Sequence, residues 1–111
     1  MADAVPVVPR RLATEDLRHA ASWYATEAGG AVARRFIDET QKAFTLIGRR
    51  PGIGSPRYAV ELAWPGLRSH PLDGFPYLIF YVEQTGHVDV LRVLHTHRDI
   101  PTSLADPAAQ A

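Results

Sequence analysis

Tyr77-Leu78-Ile79-Phe80-Tyr81-Val82 and Val88-Asp89-Val90-Leu91-Arg92-Val93-Leu94 are the two stretches that decide the fold. Both are dense in aromatic and β-branched residues, and Glu83 to His87, with Gly86, supplies the turn between them. The pair reads as an antiparallel hairpin over 77–95. Immediately upstream, residues 51–76 hold five of the nine prolines and four of the eight glycines, which predicts a structured connector of turns around a short strand. Before that, the apolar run Val32, Phe36, Thr40, Ala43, Phe44 and Ile47 has helical spacing opposite Arg34, Arg35, Asp38, Glu39 and Lys42, and Pro51 ends it near Arg50. An earlier helix is predicted from Thr14, taken as N-cap with Glu15 and Asp16 in the first turn, through Leu17, Ala20, Ala21 and Tyr24 to residue 28. Gly29-Gly30 separates the two helices, so residues 14–50 form a helical hairpin.

At the ends, residues 1–12 suggest a strand or arm that Pro6 and Pro9 confine to a sheet edge, and 96–111 suggest a frayed tail or one helical turn. Helices first and strands after give an α+β fold in one domain of 111 residues: the hairpin of helices lies on one face of a small antiparallel sheet. The other sheet face is expected to be free for partners.

Composition narrows the chemistry. Twelve Lys and Arg against twelve Asp and Glu give no net charge, so nucleic acid or anionic membrane must be met by a local patch. The absence of cysteine excludes thiolate nucleophiles, disulfides and cysteine-ligated zinc. No stretch reaches bilayer length and Met1 to Arg11 lack an apolar signal core, so a cytoplasmic protein without membrane contact is expected. There is no glycine-rich phosphate loop, no Ser-His-Asp spacing and no paired carboxylates in a plausible setting, which disfavours conventional hydrolase chemistry. His95 and His97 alternate on a strand as a metal pair would, but His70 is the only outside candidate for a third ligand; no metal and no cofactor are expected.

Three segments carry a family resemblance: Gly66-Leu67-Arg68, then Phe75-Pro76-Tyr77-Leu78-Ile79-Phe80-Tyr81, then Val90-Leu91-Arg92-Val93-Leu94-His95-Thr96-His97-Arg98-Asp99. Together with the preceding helix pair they resemble the RelE/ParE superfamily of type II toxins, on its ParE-like side. The resemblance implies a plasmid-stabilising, growth-arresting toxin that acts on DNA gyrase without being an enzyme and is neutralised by a cognate antitoxin. RelE-like relatives are instead metal-independent endoribonucleases that cut messenger RNA on the ribosome, and many end in a functional tyrosine. Here no tyrosine follows Tyr81. The ribonuclease alternative would place Arg68, Arg92 and Arg98 on phosphate and use His95 or His97 as acid or base. A family member that binds partners without toxicity is a third outcome.

Target contact is expected from Arg68, Tyr77, Arg92, His95 and Arg98. A salt bridge from Arg92 to Glu83 or Asp73, and histidines held by Asp99, are the structural readings of the same residues. An amphipathic antitoxin tail is expected to lie along the helices, anchored by Trp23 and Tyr24, with Arg34 and Arg35 attracting its carboxylates along with Arg10, Arg11 and the connector arginines Arg49, Arg50, Arg57 and Arg68. Trp23 is also a candidate for packing at the edge of the core, which leaves Trp64 as the more exposed indole.

Overall fold

The computed structural model describes residues 3–110; Met1 and Ala2 of the expected arm and Ala111 of the tail lie outside the described residues. The hairpin consists of β3, Tyr77–Gln84, and β4, His87–His95. Glu83 pairs with Val88 and Gln84 with His87, so the turn contracts to Thr85-Gly86, where Gly86 takes φ 82°. Tyr81 pairs with Val90 but Phe80 with Arg92, which leaves Leu91 as the extra residue of a β-bulge. Ile79, Tyr81, Val88, Val90 and Val93 enter one core, whereas Phe80, Leu91 and Leu94 enter another.

Two strands flank this pair. β2, Leu67–Pro71, runs antiparallel to β3, and β1, Val7–Pro9, runs parallel to β4, giving the order β1-β4-β3-β2. The sheet is therefore mixed, and its antiparallel part ends where β1 joins. Pro9 fits an edge strand, where its missing N–H takes no bond from the β4 ladder, and Pro6 precedes the strand. The Pro6 carbonyl still accepts from Val88 N–H at 2.9 Å.

Arg10 N–H then donates to the Val90 carbonyl, and α1, Arg11–Glu27, begins at once. The start lies three residues before the expected one because the strand feeds straight into the helix. Thr14 is not the cap; its N–H donates to the Arg10 carbonyl inside the first turn. Ala28 ends α1, Gly29 turns the chain at φ 95°, and α2 runs over Gly30–Arg49. Ala13, Ala20, Phe36, Ala43 and Ile47 bury the helical hairpin on one face of the sheet. An aromatic cluster locks its turn end: Tyr24 lies 5.4 Å from Phe36 and 5.1 Å from Phe75, and Tyr77 lies 5.4 Å from Phe36. Such ring pairs contribute about 0.5–1.5 kcal/mol each beyond their area.

The opposite sheet face is not free. Leu67, Phe80, Leu91 and Leu94 make a second core with Ile100 and Leu104 of α4, Ile100–Ala105, while Tyr58, Ala59, Leu62 and Trp64 of the connector pack on its edge. The physical reason is in β3 and β4, whose alternate positions are apolar on both sides, so both faces need cover. The connector supplies it with a short helix, α3, Arg57–Glu61. The C-terminal segment is likewise folded, since Asp99 caps α4 by accepting from Thr102 N–H at 3.2 Å and Ala109 of the following 3-10 turn is buried.

Tyr81 fixes the start of the connector to the sheet. Its hydroxyl donates to the Pro51 carbonyl at 2.7 Å and accepts from Gly54 N–H at 2.8 Å, while Arg68 Nη1 donates to the Gly54 carbonyl at 2.7 Å. A Cβ on Gly54 would sit 2.5 Å from that hydroxyl, so only glycine allows the approach. Among the described residues no helix is long and apolar enough to cross a membrane.

Candidate functional site

The chain's end of β4 and the middle of α1 enclose a depression of about 230 Å³ lined by Asp16, His19, Trp23, Tyr77, His95 and Arg98. Three of the residues expected to touch a target, Tyr77, His95 and Arg98, therefore converge. Pairing sets two of them side by side: Tyr77 opposes His95 in the β3-β4 ladder, and their rings meet edge to face at 5.2 Å. A turn then brings Arg98 back, its N–H donating to the His95 carbonyl at 2.9 Å. His97 stacks at a tilt 5.0 Å from the His95 ring, and its N–H donates to His95 Nδ1 at 3.1 Å. A neutral His95 thus carries its proton on Nε2. Asp99 is engaged with Thr102 through both N–H and hydroxyl, so it does not hold either histidine. Burial pushes the Tyr77 hydroxyl above its ordinary pKa, Tyr24 and Asp16 add to the shift, and Arg98 opposes it.

Arg92 and Arg68 stand apart from this group. Arg92 is 6% exposed and forms a two-point pair with Asp16, Nε to Oδ2 at 2.8 Å and Nη2 to Oδ1 at 2.9 Å, while Nη1 donates to the Ser103 carbonyl at 3.1 Å. The carboxylate that answers it is Asp16, not Glu83 or Asp73. Asp16 Oδ2 also accepts from Val93 N–H at 3.0 Å, closing the β4 edge where β1 has ended. The Asp16 hydrogen bond holds the Arg92 pKa above its ordinary value. Arg68, half-buried, is the residue that holds Gly54.

The helices carry a second depression. Leu17, Ile37, Thr40, Gln41 and Phe44 line a groove of about 220 Å³ between α1 and α2, and Phe44 continues it toward Val5 and Val7. Ile37 is 45% exposed there. A groove along the helices was expected, but not this lining, because Ile37 falls outside the main apolar stripe; its spacing of seven from Phe44 marks a second apolar line on the same helix. Neither Trp23 nor Tyr24 lines it. Trp23 is 58% exposed, not packed into the core, and belongs to the depression beside β4. Trp64, expected to be the more exposed indole, is half-buried against the second core because α3 and the β2 start enclose it. Tyr24 lies within the aromatic cluster, Arg35 sits 5.3 Å over the Phe75 ring, and Arg34 is exposed one turn before Ile37.

His70 stands on β2, away from the other histidines, and burial lowers its pKa. Among the described residues no three His, Asp or Glu side chains gather as metal ligands.

A family model described as "ParE toxin of type II toxin-antitoxin system, parDE" matches residues 7–100, from β1 to the first residue of α4. A solved structure titled "Chromosomal ParDE TA system from P. aeruginosa" contains a chain of like fold, with TM-score 0.69 and 18% identity, covering 83% of this chain and 96% of that one. No curated protein matches the chain. The family match spans both helices, all four strands and the depression at the end of β4, and the chain belongs to the ParE toxin family of type II toxin-antitoxin systems.

Proposed function

We propose that this toxin arrests growth by acting on DNA gyrase in the cytoplasm, as a binding protein without catalysis, until a cognate antitoxin neutralises it. Membership of the ParE family is the observation that carries this reading. Two surfaces support a division of labour. Tyr77, His95 and Arg98 are assigned to the target, because they share one open depression and the Arg98 guanidinium has no hydrogen-bond partner among the described residues. The groove of Leu17, Ile37 and Phe44 is assigned to an amphipathic helix of the antitoxin, with Arg34 at its rim facing antitoxin carboxylates. Expression without antitoxin tests the reading. Growth should stop and DNA broken by gyrase should accumulate, and co-expression of the antitoxin should reverse both; growth unaffected by expression contradicts it.

A ribosome-dependent endoribonuclease is the second reading, favoured by His95 and His97 lying together beside Arg98. The other two arginines it needs are engaged within the fold, Arg92 with Asp16 and Arg68 with Gly54. Mapping of messenger RNA ends in translation extracts, with wild type and with His95→Ala plus His97→Ala, separates the two readings.

A further inference from the structure

The depression between α1 and the end of β4 has donors without acceptors. Guanidinium and indole N–H groups can only donate, and Arg98 and Trp23 bring one of each. His95 presents Nε2, since Nδ1 is occupied by the His97 N–H. Tyr77 adds a phenol, which keeps its proton at neutral pH as an ordinary tyrosine does. Among the described residues, the Arg98 guanidinium, the Trp23 N–H and the Tyr77 hydroxyl have no hydrogen-bond partner. The carboxylate that lines the depression, Asp16, has both oxygens engaged, by Arg92 and by Val93 N–H. Such an inventory selects an anion.

The rings narrow the choice of anion. Trp23 is 58% exposed and rests edge to face on Tyr24 at 5.2 Å, so a broad indole surface stays open beside the donors. A nucleobase can stack on that surface while its phosphate reaches Arg98 and His95, whereas an acidic side chain has no flat face to offer it. We propose that this depression binds one phosphate of a single-stranded nucleic acid, with the adjoining base stacked on Trp23. The toxin reading gives the site its setting, a strand held open by the target enzyme, but binding itself is independent of that target.

Fluorescein-labelled dodecathymidylate titrated with the full chain, followed by anisotropy at low salt without gyrase or antitoxin, tests the site. Trp23→Ala and Arg98→Gln, both at exposed positions and checked for an unchanged melting temperature, should each weaken binding about tenfold. Lys42→Gln removes the same charge from the far side of α2 and should leave binding within about twofold. The salt dependence of Arg98→Gln should flatten by about 0.7 in log-log slope, one phosphate contact on a single strand. The proposal is overturned if the wild type does not bind, if Lys42→Gln weakens binding as much as Arg98→Gln, or if an acidic deca-glutamate peptide displaces the oligonucleotide as well as unlabelled dodecathymidylate does. A wild type that inhibits gyrase yet fails to bind the oligonucleotide removes this site and leaves the toxin reading standing; binding without gyrase inhibition does the reverse.

Discussion

Arg92 would be costly as a lone guanidinium within β4, and its cost is met by geometry: two contacts to Asp16, one to the Ser103 carbonyl, and Val93 N–H sharing the same carboxylate. Removing only one partner leaves a buried charge and an unpaired amide. Asp16→Ala should therefore cost about 3–5 kcal/mol in urea denaturation, while Asp16→Leu combined with Arg92→Met should recover most of that loss. An Asp16→Ala cost below about 1 kcal/mol would show that water reaches the pair. Tyr81 is a second such residue, because its hydroxyl serves Pro51 and Gly54 at once. Tyr81→Phe should lower stability by about 1–3 kcal/mol, with hydrogen exchange at Gly54 N–H accelerated, whereas an unchanged exchange rate there would contradict the latch.

At the scale of elements, α2 is apolar on two lines, one into the sheet through Phe36, Ala43 and Ile47 and one along the groove through Ile37 and Phe44. On the second line Ile37 stays exposed and Phe44 is half-buried among the described residues. Ile37→Asp, at an exposed position, should weaken antitoxin binding about 30-fold by calorimetry, and Trp23→Ala should leave it within about twofold. If Trp23→Ala abolishes binding while Ile37→Asp does not, the antitoxin lies beside β4 instead. The hairpin 77–95 and the helix pair were legible from periodicity because each buries a regular face. The start of α1 was not, since it is set by β1 handing its hydrogen bonds to the helix and Thr14 gives no sign of that. The cover of the second face was hidden too: α3 spans five residues, too few for a helical period to show, although the two-sided apolar pattern of β3 and β4 demanded something there. The family pattern singled out Arg68, Tyr77, Arg92, His95 and Arg98 together; that Tyr77, His95 and Arg98 share a depression with Trp23 and His19, without the other two, is set by the packing of α1 against β4.

For the molecule as a unit, zero net charge means that recognition is local, and α1 divides it. One flank meets α2 in an apolar groove, the other meets β4 in a donor-rich depression, and the two share no lining residue. A toxin so built can be restrained through one surface while a different one meets its target. The most direct test is a titration of the purified chain into a gyrase supercoiling reaction, run beside a translation extract. The account predicts that supercoiling stops and cleaved DNA accumulates, that Arg98→Gln loses this effect while Ile37→Asp keeps it, and that translation proceeds untouched. Gyrase working at full rate while new messenger RNA ends appear in the extract would contradict it.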